Sequence, residues 1–167
     1  MFLSFQLWLV AKLSLEDELV FDGGSFAVNA DGELAMVAPD FEEGSYELSV
    51  SRTVRGVEIE QGVAASALSD LAAVWQALVL GVRDYVEKNG FPGVVLGLSG
   101  GIDSAVTLAV AVDALGADRV QAVMMPFKYT ADISVADAGE QASIMGVEYD
   151  VISIEPIYEM FMSGLLE

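Results

Sequence analysis

The stretch Val94 to Ser104, VVLGLSGGIDS, constrains this chain more tightly than any other segment. Val94 to Leu98 is an unbroken apolar run of the length of a buried parallel strand. From Ile102 the sequence IDSAVTLAVAVDAL is Ala-rich and apolar at helical spacing. Ser99, Gly100 and Gly101 therefore fall at a strand-to-helix crossover. Their small side chains let backbone N–H groups close around an anion, at the end of the helix that carries partial positive charge. The hydroxyls of Ser99 and Ser104 add donors for phosphate oxygens. Asp103 repels an anion directly, so its role beside a phosphate is to hold Mg²⁺ by oxygen ligation, the ion bridging the two.

Spacing excludes two other phosphate loops. No Lys occurs between Val94 and Val120, which removes GxxxxGK[ST], and Gly97, Gly100 and Gly101 do not make GxGxxG. A glycine pair alone would be an ordinary turn; strand, SGGxDS and helix together are specific.

The loop sits inside an alternating pattern. Strands are expected at Val94 to Leu98, Val120 to Met124 and Glu148 to Ser153, with helices at Ile102 to Leu115, Ser134 to Met145 and from Pro156. Ser134 and Asp137 are expected to cap the second of these helices. Such alternation implies a parallel sheet with right-handed crossovers, whose ligands bind at the carboxyl ends of the strands. Gly97 to Ser104 occupies one such end and Met124–Met125–Pro126 another. A long helix precedes the sheet. Ser69 caps it, Leu71, Val74, Trp75, Leu78, Val79, Val82 and Val86 form an apolar face, and Asn89–Gly90 ends it. Trp75 and Tyr85 are expected in the core.

The N-terminal third reads differently. FDGGSFAV and NADGELAMV form a β-hairpin, with Asn29, Asp31 and Gly32 supplying the turn. Gly23–Gly24 is followed by no helix and offers no phosphate site. Residues 52–66 lack strong periodicity and read as a linker. The opening MFLSFQLWLVAKLSL is apolar for about ten residues, but lacks the basic start and cleavage site of a signal peptide and the ~20-residue span of a bilayer.

Composition removes whole classes of chemistry. With 26 acidic residues against 7 basic ones, net charge −19, no basic patch could hold nucleic acid or an anionic membrane surface. A polyphosphate must then be held by amides and metal, with Lys128 available to steer it. The absence of Cys removes disulfides and thiol catalysis, and the absence of His removes the usual general base and zinc ligand. Hydrophobic residues at 54% supply ample core.

SGGIDS resembles the pyrophosphate-binding signature of the ATP pyrophosphatase superfamily, whose members adenylate a carboxylate or amide oxygen and release pyrophosphate. Gly90 to Ser134, and on through DAGEQASIMGVEYDVISIEP, resembles the synthetase domain of the bacterial glutamine-dependent NAD⁺ synthetase family. Asp17 to Leu48 resembles the last strands of the nitrilase-like glutaminase domain of that family. The resemblance implies an α/β fold, a Rossmann-like parallel-sheet domain of the adenine nucleotide alpha hydrolase type after a β-rich remnant. Residues 1–50 would be the glutaminase remnant, 51–68 a linker and 69–167 the first part of the synthetase.

It also implies ATP and Mg²⁺ as cofactors, deamido-NAD⁺ and ammonia or glutamine as substrates, a homo-oligomer, no nucleic-acid or membrane partner, and a cytoplasmic setting. Gly97, Leu98, Ser99, Gly100, Gly101, Ile102, Asp103, Ser104 and Met125 would line the nucleotide, with Asp103 as metal ligand and Phe127 flanking the adenosine; no residue is assigned as catalytic. Phe127 and Ala131 depart from the family's MPSxYxSxxS-like segment, and Phe2 to Leu15 from its NxxGGxDE-like turn. Without Cys, glutamine hydrolysis by these residues is excluded. The chain is expected to be an incomplete synthetase, inactive alone. Two readings stay open beside it, another ligase of the superfamily such as a GMP synthetase or a tRNA-thiolating enzyme, and a non-catalytic nucleotide-binding fragment.

Overall fold

Glycine positions and apolar runs divide the chain into a strand-rich part and an alternating α/β part, and the computed structural model carries both. It describes residues 4–11, 15–16, 19–54, 56–60 and 62–165. Two compact units emerge, Met1–Gly81 and Val82–Glu167.

Among the described residues the first unit holds seven strands, β1 (Ser4–Ala11), β2 (Leu15–Glu16), β3 (Leu19–Val20), β4 (Phe26–Val28), β5 (Leu34–Val37), β6 (Gly44–Thr53) and β7 (Gly56–Ile59). β6 is the centre of an antiparallel sheet ordered β1-β6-β7. The apolar opening is thus largely a strand, pairing Ser4 with Ser51 through to Ala11 with Gly44; residues 1–3 and 12–14 lie outside the described residues. β4 and β5 form the expected hairpin. Residues 52–66 differ from expectation, because they contain β7, which pairs Val50 with Ile59 and Thr53 with Gly56. Gly56, at φ +124°, turns the chain there in a conformation open to glycine. The core of this unit is Met36, Ala38 and Leu48, with Ala27, Tyr46 and Ile59 packed against it.

The Asn29 side chain ties hairpin to sheet. Its Oδ1 accepts from Ile59 N–H at 2.8 Å and its Nδ2 donates to Ile59 O at 3.5 Å, so one carboxamide serves both backbone groups of a strand end.

Helix α1 (Asp70–Lys88) runs across the division between the units. Its start is capped as expected, Ser69 Oγ accepting from Ala72 N–H at 3.3 Å, and Gly90 at φ +67° follows its end. The expected apolar face holds in part, with Val79 and Val86 buried and Trp75 and Val82 half-buried. Leu71, Val74 and Leu78 are exposed, whereas Leu80 is buried. In the second unit Arg83 Nε donates to Ala114 O at 3.0 Å. Tyr85 is also exposed rather than in the core, and packs on Phe91 with ring centroids 6.2 Å apart.

The second unit is a parallel sheet of β8 (Val94–Gly97), β9 (Val120–Met124) and β10 (Glu148–Val151), ordered β10-β9-β8 and interleaved with α2 (Ile102–Leu115), α3 (Asp132–Met145) and α4 (Glu155–Leu165). Central β9 buries Val120, Ala122 and Met124, and α2 covers the sheet with Leu108, Val110, Ala111, Ala114 and Leu115. The elements match expectation to within two residues, with one consequence. Because α3 begins at Asp132 after Ala131, Ser134 and Asp137 lie inside the helix and cap nothing. The cause is the preceding turn. Phe127 N–H donates to Thr130 Oγ1 at 2.9 Å and Thr130 N–H to Phe127 O at 2.7 Å, closing residues 127–130 and starting the helix early.

Candidate functional site

β8 delivers the loop. Leu98 N–H donates to Val123 O at 2.9 Å, extending the β8–β9 ladder by one bond, and the Leu98 side chain is only 1% exposed. Buried leucine anchors the loop at its entry, so only the Leu98 backbone can face a ligand. Three residues later Gly101 becomes the N-cap of α2 in extended conformation, with no side-chain cap. The first turn of α2 therefore keeps donors unclaimed by any capping side chain.

Between these points Gly100 sits at φ +76°, and a Cβ there would collide with the backbone of Ser134 in α3. Glycine is required twice over, for handedness and for space. Ser134 thus braces the loop through its backbone.

The hydroxyls form a directed chain. Ser99 N–H donates to Ser104 Oγ at 3.2 Å, and the two hydroxyl oxygens lie 3.0 Å apart. Ser104 Oγ donates to Gly101 O at 3.0 Å, which spends its single proton, so the Ser99 hydroxyl donates to Ser104 Oγ. Ser99 Oγ in turn accepts from Gly101 N–H at 3.3 Å. Two loop amides are thereby satisfied by exposed hydroxyl oxygens that an anion oxygen could replace.

Beside the loop lies a cleft of about 300 Å³ lined by Gly97, Leu98, Ser99, Val123, Met124, Met125 and Thr130. It opens at the carboxyl ends of β8 and β9, where parallel sheets bind ligands. Four of the nine residues expected at a nucleotide, Gly97, Leu98, Ser99 and Met125, meet in its wall. Met125 is half exposed, and its Cε stands 3.2 Å from where a Gly97 Cβ would be. Gly100, Gly101, Ile102, Asp103 and Ser104 make the adjoining loop and first turn of α2, with Ile102 and Asp103 both exposed. Phe127 is packed edge-on against Tyr129 and Tyr158, at centroid distances of 5.5 and 4.9 Å.

Thr130 is a wall residue that sequence reasoning missed; its signal was a hydroxyl placed to close the F-K-Y-T turn.

Metal fit follows from the donor set. Among the described residues no group of three or more acidic, His or Cys side chains could hold an ion unaided. Asp103 offers one carboxylate beside the amide loop, and Mg²⁺ takes its remaining ligands from phosphates and water when it travels with a nucleotide. The site fits a nucleotide-borne ion and not a free-standing metal centre. Among the described residues no helix is long and apolar enough to cross a membrane.

Comparison with known proteins agrees with this geometry. The family model described as NAD synthase matches residues 74–167. The glutamine-dependent NAD(+) synthetase of Acinetobacter baylyi is 53% identical over 152 residues, covering 90% of this chain and 27% of that protein. Its counterpart in Xylella fastidiosa is 46% identical over 150 residues, covering 90% of this chain and 28% of that protein. Among solved structures, glutamine-dependent NAD⁺ synthetase from Acinetobacter baumannii in complex with ADP is 50% identical with a TM-score of 0.87, over 96% of this chain and 30% of that one. The NH3-dependent NAD synthetase of Campylobacter jejuni is 30% identical with a TM-score of 0.54, over 57% of this chain and 42% of that one. This chain thus spans little more than a quarter of the curated relatives' length. With more than half of its residues matched by the family model and a strand–SGGIDS–helix loop at the carboxyl edge of a parallel sheet, the chain belongs to the NAD synthase family.

Proposed function

We propose that this chain supplies the ATP-binding part of an enzyme that amidates deamido-NAD⁺ to NAD⁺. In that reaction a nicotinate carboxylate oxygen attacks the α-phosphorus of ATP, and the bond to pyrophosphate breaks. Ammonia then attacks the acyl carbon of the adenylate, and the C–O bond to AMP breaks. The observation that carries the reading is the hydroxyl-bridged Ser99–Ser104 loop at the uncapped start of α2.

The residues of this chain act by holding and orienting. A phosphate oxygen takes the place of Ser99 Oγ as acceptor for Gly101 N–H, and the Ser99 hydroxyl then turns from Ser104 Oγ to donate to a further oxygen. The Gly100 amide and the positive end of α2 add to the stabilisation of departing pyrophosphate. Gly97, the Leu98 backbone and Met125 border the adenosine side, with Ile102 beginning the helix behind the phosphates. Asp103 would hold Mg²⁺, which supplies charge neutralisation to the phosphate oxygens. Positioning and charge stabilisation suffice, so the lack of His is no obstacle. The lack of Cys assigns any glutamine hydrolysis to residues other than these 167. An ADP complex of the A. baumannii relative supports adenine nucleotide use.

Titration calorimetry with ATP and Mg²⁺ tests the binding step, and pyrophosphate release with deamido-NAD⁺, ATP, Mg²⁺ and ammonium tests the chemistry. ATP binding that inorganic pyrophosphate competes away is expected. No ATP binding, or turnover that needs xanthosine monophosphate in place of deamido-NAD⁺, overturns the reading.

A further inference from the structure

The charge balance of the second unit is lopsided. Val82–Glu167 contains four basic residues against thirteen acidic ones, yet a nucleotide with several negative charges is to bind there. Three of the four cations are already engaged. Arg83 donates to Ala114 O and Asp113 O at the end of α2, at 3.0 and 3.4 Å. Lys88 pairs with Asp84 at 3.0 Å. Arg119 donates to Pro92 O and Phe91 O, at 2.9 and 3.1 Å, with Glu87 at 4.0 Å. Among the described residues Lys128 has no carboxylate within ion-pairing distance.

Lys128 is instead seated on rings. Its Nζ stands 5.4 Å from the ring centre of Phe127, 5.3 Å from that of Tyr129 and 5.7 Å from that of Tyr158. All three distances fall within the range of cation–π attraction. Ring faces hold a cation without cancelling its charge, which a carboxylate would do. The seat is itself anchored. Phe127 and Thr130 close the turn, while Met124 O and Pro126 O accept from Ile152 N–H at 2.8 Å and Ile154 N–H at 3.2 Å. Tyr158, one turn further along α4, packs edge-on against Phe127. The same turn lends Thr130 to the wall of the cleft, next to Ser99 and Met125.

We propose that Lys128 is a phosphate-contacting cation for ATP bound in this cleft, pre-positioned by the Phe127–Tyr129–Tyr158 ring seat. The proposal rests on the nucleotide reading above. Restraining a long lysine side chain before the ligand arrives lowers the ordering cost of binding. In an acidic unit a cation on the turn that walls the cleft through Thr130 also eases the approach of a polyanion.

The test is calorimetric titration of the 167-residue chain with ATP and Mg²⁺, with adenosine and with NAD⁺, at low and moderate salt. For Lys128→Met the affinity for ATP is expected to fall about tenfold, with a shallower salt dependence, while adenosine binds unchanged. Lys128→Arg should restore affinity to within about twofold of the parent, since charge and reach are kept. Tyr158→Leu should cost about threefold and Tyr158→Phe nothing, because only the first removes a ring from the seat. A parent chain that binds ATP as well as its Lys128→Met variant overturns this proposal and leaves the nucleotide reading standing. So does an equal loss for adenosine, a failure of Lys128→Arg to restore binding, or a loss seen with NAD⁺ and not with ATP. A parent chain that binds no ATP overturns both.

Discussion

Two glycine pairs share this chain and do opposite things. Gly23–Gly24 joins β3 to β4, with φ of +81° and +20°, and a Cβ on Gly24 would meet Asp40 Oδ1 at 3.0 Å and Asp22 Oδ1 at 3.7 Å. The adjacent Ser25 hydroxyl turns inward to Gly23 O at 3.1 Å. Gly100–Gly101 joins β8 to α2, between serine hydroxyls, with the start of a helix ahead. The first pair faces carboxylates and closes a turn; the second faces hydroxyls and amides and suits an anion. Glycine grants the backbone its freedom in both places. Whether that freedom can serve a ligand is decided by the next element, strand or helix, and by the neighbours, acceptors or donors.

Substitutions in both pairs break or sharpen this contrast. Gly100→Ala forces a side chain into the Ser134 backbone at a positive φ, so it should cost about 3 kcal/mol of stability and abolish ATP binding, read by denaturant unfolding and calorimetry. Asp103→Asn should weaken ATP about tenfold in the presence of Mg²⁺ and leave Mg²⁺-free binding unchanged; equal affinity with Mg²⁺ would remove its assigned role. Ser104→Ala removes the acceptor of Ser99 N–H and should weaken ATP about fivefold, with stability in denaturant unfolding lowered by ~1 kcal/mol. Gly24→Ala should act least on the ligand. Asp40 is a side chain that can yield, but the positive φ strains any side chain there, so about 1–2 kcal/mol of stability should be lost with no change in nucleotide affinity. An effect of Gly24→Ala on ATP binding would erase the distinction between the pairs.

The features legible in the sequence were local. The apolar run ending at Leu98, the small residues after it and the alanine-rich continuation set a strand, a loop and a helix by short-range rules, and they stand where those rules put them. The Ser69 cap and the β4–β5 hairpin belong to the same class. The features that were not legible depended on partners distant in sequence. β1 and β7 are strands because β6 gives them ladder bonds, and neither segment announces that by periodicity. The start of α3 was displaced by a single hydroxyl, Thr130, that also reached the cleft. The need for glycine at position 100 was visible as a turn preference. Its larger cause, the backbone of Ser134 pressing from another helix, was not.

On the proposed reading, the grip on the nucleotide would be built mostly from main-chain donors. An amide has no proton to lose across the physiological range, and these 167 residues contain neither imidazole nor thiol. Acidity near neutrality should therefore act on the loop mainly through the guest, by protonating the terminal phosphate of the nucleotide. A plot of affinity against pH ought to bend where free ATP takes up its proton and nowhere else between about pH 6 and 8.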